Sequence, residues 1–545
     1  MLHEILSEIK NAPESILQKY HLKNKESWIF PLEEQSKIVA NHLKLVSYGF
    51  GIPHNDFDLA QDILGAWINV LKETNSPIIQ EGEENIINGI KEEIGSLSAE
   101  EVEKVYDILN YPEQVTQDGL KIYGSTSYET QIAILSHYLH TFDDKHDIVS
   151  GKKRYEIIDA IRDYVDYKHQ QEKKNPLWDD VSDEAINMAA ESPLQCDLFA
   201  EFFNIPFPAP SNPKFTFIDL FAGIGGFRIA MQELGGKCVY SSEFDAQAQR
   251  TYMANYGEMP FGDITKEITK SYIPDGFDIL CGGFPCQAFS LAGKRLGFED
   301  ETRGTLFFEI EEILRRKQPK AFFLENVKGL LIHKGGQTIK TILEHLDDAG
   351  YNVVPPKVVN AMDFGVPQHR ERVYIIGFRK DLGVDINKFN YPKPTTPEGK
   401  RKHFIDVREE KPVPAKYYLS TQYIKTLIAH KARHEAKGHG FGYEIIKDNE
   451  VANAIVVGGM GRERNLVIDT RQTDLTPTTN IKGVVNTDGI RRMTPREWAR
   501  LQGFPEKFKI VVADASAYKQ FGNSVAIPAI KATAEKELKL LSLID

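Results

Sequence analysis

Residues 217–226 read Phe217-Ile218-Asp219-Leu220-Phe221-Ala222-Gly223-Ile224-Gly225-Gly226, an apolar run that stops at a glycine turn before a helical pattern over 227–234. The run has the length and character of a strand buried on both faces. Glycines at its end let the backbone turn sharply into the helix and approach a ligand closely. Further strand-like runs follow at 238–241, 277–281, 321–324 and 372–377, separated by helical stretches such as 305–315 and 338–349. Such alternation predicts an α/β fold with a doubly wound, mostly parallel sheet and helices on both faces.

At 545 residues the chain is long for one core, so two or three domains are expected. Residues 1–174 read as helical, with patterns at 58–68, 101–109, 128–139 and 153–167. Prolines at 176, 193, 206, 208 and 210 mark 175–213 as extended linker. The sheet is expected over 214–378, a smaller loop-rich domain over 379–489, and a return to the first fold over 490–545. No apolar run reaches membrane-spanning length and no signal-peptide pattern opens the chain, so a cytoplasmic protein without membrane contact is expected. Four cysteines make neither a disulfide framework nor a paired zinc pattern, and no metal is expected.

The net charge of −12 hides an asymmetry. Residues 1–210 hold 18 Lys and Arg against 37 Asp and Glu, a balance of −19, whereas the remainder holds 48 against 41, a balance of +7. Residues 379–489 hold 19 basic against 14 acidic side chains. Only the second part is therefore suited to a polyanion. The acidic helical third has no assignable role from sequence, and contact with protein suits it better than contact with DNA.

Ligands of a doubly wound sheet sit at the carboxyl ends of its strands. The glycine turn ends the first strand there. It is not the G-x-G-x-x-G of dinucleotide sites, so no pyrophosphate is required. Glu243 ends the second strand, where a carboxylate binds ribose hydroxyls, and Asp263 could accept from an adenine amino group. Together they suggest an adenosine cofactor without phosphates. Gly282-Gly283-Phe284-Pro285-Cys286-Gln287 places a thiol on a tight loop after another strand, and Glu325 ends the next. Gln368-His369-Arg370-Glu371-Arg372 leads into a further one. A nucleophile, an acid and guanidinium groups thus converge on one edge.

This ordered set, with 491–505 and Gly522-Asn523-Ser524-Val525, resembles the DNA cytosine-5 methyltransferase family of restriction–modification systems over about 215–535. The resemblance implies a Rossmann-like, S-adenosylmethionine-dependent fold. It implies that Cys286 attacks C6 of a flipped-out cytosine, that Glu325 contacts N3 and the amino group, and that Arg372 and Arg370 flank the base. It assigns the cofactor to Phe221, Gly223, Gly225, Glu243, Phe244, Asp263, Ile264, Pro285, Asn523 and Ser524. Phe244 stands where the family often has Trp and can still stack on adenine. The loop 287–304, with Gln287, Ser290, Lys294 and Arg295, resembles the segment that closes on DNA. The 379–489 region falls where the family reads sequence, with Arg462 and Arg464 in 458–465 as candidate base readers. Thr476 resembles a threonine near the flipped base, although Pro477 follows it. The implied partners are duplex DNA and a cognate restriction endonuclease acting separately, with the chain a monomer. The rivals are an RNA cytosine methyltransferase, whose extra Cys-Phe-Thr signature is absent here, and a non-catalytic DNA-binding protein of the same fold.

Overall fold

The computed structural model describes the chain except residues 24–26, 29–30, 48–53, 95–113, 116–120, 123–126, 142–151, 173–176, 179–180, 192–196, 286–305, 437, 439–441, 458–461 and 477–482. The described residues form two compact units, Met1–Phe199 and Ala200–Asp545.

The first unit is helical. Leu2–Asn11, Leu32–Ser47, His54–Glu73 and Glu83–Ile94 surround a core that includes Ile5, Ile9, Val39, Leu43, Trp67, Leu71 and Ile90. The Trp67 indole N–H, buried there, donates to Gln35 Oε1 at 2.9 Å. Tyr128–Thr141, Lys152–Gln171 and Asp183–Glu191 form a second group of helices in this unit. The sequence patterns at 58–68, 128–139 and 153–167 lie within three of these helices; the one at 101–109 lies outside the described residues. Asp183–Glu191 stands inside the stretch read as extended linker. Its prolines flank this segment without interrupting it, and Ile186, Ala189 and Ala190 bury a helical face. No helix among the described residues is long and apolar enough to cross a membrane.

The strands of the second unit are β1 (Phe215–Leu220), β2 (Gly236–Ser242), β3 (Ile279–Gly283), β4 (Ala321–Val327), β5 (Tyr351–Val353), β6 (Lys357–Asn360), β7 (Gln368–His369) and β8 (Glu371–Arg379). They order as β2-β1-β3-β4-β8-β5, with β6 also on β8. The pairs among β1 to β4 are parallel and every pair of β8 is antiparallel. The sheet is therefore mixed at this end and parallel in the rest, in keeping with the mostly parallel sheet expected from the sequence. An antiparallel β8 begins where β4 ends, and Arg372 faces Val327 across the pair.

Alternate residues serve opposite faces of the sheet. Phe217, Ile279, Cys281, Phe323, Ile376 and Phe378 join one core with Phe227, Met231, Ile530 and Leu538 from the helices Gly226–Gln232 and Ile527–Leu540. Ile218, Leu280, Phe322 and Ile375, one residue out of step, are equally buried but outside that core. From β1 the chain steps to β2 on one side, while β3 and β4 lie on the other side, so the order reverses between β1 and β3. A doubly wound sheet opens its ligand crevice at that place.

A smaller layer is built from Ile445–Ile446, Leu466–Ile468 and Ile490–Arg492. Helix Thr421–Glu435 packs there through Leu427, beside Leu419, Leu466 and Ile490.

One core residue titrates. Glu537, on the last helix, is fully buried and neither of its oxygens has a hydrogen-bond partner. Burial pushes its carboxyl up from 4.5 to about 8. Between those values the folded chain keeps a proton that the unfolded chain releases, so stability falls as pH rises through this window. Glu537→Gln, which cannot ionise, is expected to match the parent at pH 4 and exceed it by about 4–5 kcal/mol above pH 8. Denaturant midpoints at the two pH values measure the difference.

Candidate functional site

The turn after β1 is held in a conformation few residues accept. Phe221, Gly223 and Gly225 have φ of 54°, 55° and 79°. For Phe221 this left-handed geometry is a strain that the surroundings must enforce. The hydroxyl of Tyr256 donates to the carbonyls of Ile224 and Gly225 at 3.1 and 2.9 Å. A Cβ at Gly225 would lie 2.5 Å from that ring, and one at Gly226 would lie 2.8 Å from Ser524 Oγ and Val525 Cγ2. Both glycines are therefore required, and the second brings the C-terminal segment against the turn. Gly223 has open space where a Cβ would stand.

Glu243 closes this side. Its carboxylate accepts from the backbone N–H of Gly223 at 2.9 Å and of Asp245 at 2.8 Å. Burial raises its carboxyl above the usual range, opposed by these two bonds. Each oxygen keeps a lone pair, so both can still accept from hydroxyls. Phe244 beside it is 78% exposed, an unusual position for a large aromatic ring in a folded unit. Asp263 is exposed and its Oδ1 accepts from Thr265 N at 3.0 Å, while Ile264 is buried. Asn523 is exposed and Ser524 is buried.

A second group lies on the β3–β4–β8 edge. Gly283 pairs with Glu325, and a Cβ there would stand 3.7 Å from Glu325 Oε2. Asn326 Nδ2 donates to the carbonyl of Phe284 at 2.9 Å, which fixes the chain two residues before Cys286. Pro285 is exposed. Arg372 Nε lies 3.1 Å from Glu325 Oε1. The contact lacks hydrogen-bond alignment, so Oε1 remains free to engage another donor. Arg372 Nη1 donates to its neighbour's carbonyl, Glu371 O, at 2.8 Å.

The edge thus brings together Glu325, Asn326, Arg372 and the lead into Cys286. Cys286 itself, with Gln287, Ser290, Lys294 and Arg295, lies outside the described residues. Arg370 stands apart from Arg372: it is 3% exposed and its guanidinium donates to the carbonyls of Ile455 and Ser524 at 3.1 and 2.6 Å. Arg462 is exposed, with its guanidinium 5.5 Å from the centre of the Tyr518 ring. Arg464 lies 3.8 Å from Glu444. Thr476 donates to Asp474 Oδ1 at 2.6 Å in an exposed turn. Sequence patterns assign no individual role to Tyr256 or Val457, nor to Gln368 and Gln502, although the last two lie within the 368–372 and 491–505 segments.

Residues 215–539 match the family described as C-5 cytosine-specific DNA methylase. The Type II methyltransferase M.HpaII of Haemophilus parainfluenzae is 69% identical over 345 residues, which is 62% of this chain and 95% of that protein. The Type II methyltransferase M1.ScrFI of Lactococcus lactis subsp. cremoris is 45% identical over 338 residues, covering 62% and 81%. Among solved structures, an S. pombe Dnmt2 methyltransferase aligns with a TM-score of 0.45 at 17% identity, covering 60% of this chain and 99% of that one.

Proposed function

The chain belongs to the C-5 cytosine-specific DNA methylase family, and from that premise we propose which residues do what in this DNA methyltransferase. The observation that carries it is Glu325, held 3.1 Å from Arg372 and paired with Gly283, three residues before Cys286 in sequence.

S-adenosylmethionine, when bound, supplies the electrophilic methyl group that cytosine C5 takes. The residues present suit it: the Gly223 backbone leaves open space, Glu243 keeps two acceptors for ribose hydroxyls, and the uncovered Phe244 ring offers a face for adenine. Phe221, Gly225, Asp263, Ile264, Pro285, Asn523 and Ser524 complete the pocket in this reading. Phe244→Ala is expected to weaken cofactor binding about three- to tenfold without unfolding the chain, since stacking contributes roughly 0.5–1.5 kcal/mol. Titration calorimetry measures it.

The cytosine is flipped out of the duplex, because C6 is hidden in the stack. Cys286 Sγ adds to C6, and the displaced electron pair is drawn toward N3. Glu325 donates its proton there, so the ring does not accumulate a full negative charge. Arg372 orients Glu325 and borders the base. Once C5 has lost its proton to solvent, the C6–S bond breaks, the thiolate leaves, and N3 returns its proton to Glu325. Residues 287–304, with Gln287, Ser290, Lys294 and Arg295, close on the DNA. Residues 379–489 read its sequence, with Arg462 and Arg464 as candidate guanine contacts and Thr476 near the flipped base.

The test is a duplex carrying 5-fluorocytosine at the target. Fluorine cannot leave C5 as the proton does, so an adduct should persist. Mass spectrometry is expected to find it on Cys286 and only in the presence of S-adenosylmethionine. A duplex that is methylated normally but traps nothing on Cys286 would overturn the assignment. The wider setting proposed is a cytoplasmic monomer that shields DNA from a separate restriction endonuclease, with the acidic first unit contacting protein.

A further inference from the structure

Three polar side chains of the second unit are buried away from the open edge: Gln368, Arg370 and Gln502 are 0%, 3% and 0% exposed. Gln368 Oε1 accepts from Ile455 N at 3.0 Å, and its Nε2 donates to Leu501 O at 2.8 Å and to Gln502 Oε1 at 3.2 Å. Gln502 Nε2 donates to the carbonyls of Phe521 and Ser524 at 2.8 and 3.1 Å. Arg370 donates to the carbonyls of Ile455, Gly522 and Ser524. Both backbone polar groups of Ile455 are therefore held, one by Gln368 and one by Arg370.

A buried guanidinium is costly unless it is satisfied. Here Nη1 and Nη2 donate to main-chain carbonyls from two distant segments, while Nε has no hydrogen-bond partner and no carboxylate pairs with the group among the described residues. Such an arrangement suits a part that fixes backbone, because it removes the charge from solvent without aiming it at a ligand.

The same two segments meet again. A Cβ at Gly522 would lie 2.8 Å from Val457 Cγ2 and 3.3 Å from Val457 N. Arg462 lies over Tyr518, on helix Asp514–Asn523, which ends at the exposed Asn523. The start and the end of 455–462 thus rest on one helix, and that helix leads directly into the proposed cofactor residues.

We propose that Arg370, with Gln368 and Gln502, is a positioning joint that holds the DNA-reading segment and the cofactor-side loop in one register, so that occupancy of either site is felt at the other. Arg370 then acts through Ile455 and Ser524, and not on the cytosine. This rests on the functional reading above; a wild-type protein that transfers no methyl group to DNA would refute that reading first, before any variant is compared.

The test uses the full chain, S-adenosylmethionine, S-adenosylhomocysteine and a duplex bearing the methylated motif. Arg370→Lys is expected to raise KM for both DNA and cofactor about tenfold while kcat at saturation falls less than about threefold. The ratio of S-adenosylhomocysteine affinities with and without DNA should move toward one. Gly522→Ala, which strains the same joint from the backbone side, should give the same signature, and Val457→Ala added to it should restore at least half of the lost coupling. Should Arg370→Lys fail to fold, the Gly522 and Val457 pair carries the test. A fall in kcat with both KM values unchanged, a change in KM for one ligand alone, or no response to Gly522→Ala would each overturn the proposal.

Discussion

Glu325→Gln is expected to lower kcat for methyl transfer about 10²- to 10⁴-fold, the range that a positioned general acid contributes. Glutamine has the same shape and can still hydrogen-bond to the cytosine edge, but it has no proton to release as charge develops at N3. The backbone should be undisturbed, because Glu325 lies within a seven-residue strand paired on both sides. Its main side-chain contact, the 3.1 Å approach of Arg372, keeps a polar partner. Cofactor affinity should change little, since the Glu243 and glycine-turn group is separate. Single-turnover transfer of a labelled methyl group measures the rate, with cofactor affinity alongside. A rate within threefold of the parent would remove Glu325 from the chemistry.

Arg228→Met is expected to cause the largest loss of stability, about 3–5 kcal/mol, by taking from the buried Glu258 carboxylate the guanidinium that pairs with it. Arg228 and Glu258 are 0% and 1% exposed and face each other through two hydrogen bonds of 2.8 and 2.5 Å. The guanidinium also lies 4.7 Å from the centre of the Tyr256 ring, and Tyr256 supports the glycine turn. The site should therefore loosen with the fold. Replacing both partners with apolar residues should recover most of the loss, because desolvation of the pair offsets much of its attraction. Denaturant unfolding of the full chain, followed through the transition that abolishes cofactor binding, measures both variants. A single substitution that costs less than about 1 kcal/mol would show that the pair is relaxed by solvent.

The parallel half of the sheet was legible because each strand is an apolar run followed by a polar or glycine-bearing end. Phe217, Cys238, Phe277 and Ala321 each lie in or within two residues of a strand start. The antiparallel edge was not, because direction is set by connections. Val354-Pro355-Pro356 splits what looks like one apolar stretch into β5 and β6, which pair with different parts of β8. Helix Thr421–Glu435 was hidden because it buries only Leu427 and presents charge elsewhere. In the site, Glu325 and Arg372 could be named from strand ends alone. Arg370 and Arg372 could not be told apart, since what separates them are carbonyls 85 and 154 residues away. Which arginine of 462 and 464 faces a base is likewise a matter of tertiary placement: Arg462 lies over Tyr518 and Arg464 lies near Glu444.

One reaction is central, methylation of cytosine C5 in a specific DNA sequence through Cys286. Expression of the full chain in a host without cytosine methylation, beside Cys286→Ala, followed by a genome-wide map of 5-methylcytosine, tests it directly. The expected result is methylation confined to one short motif and absent from the Cys286→Ala strain. Methylation that persists in that strain, or a folded, cofactor-binding protein that leaves the genome unmodified while methylating RNA, would contradict it.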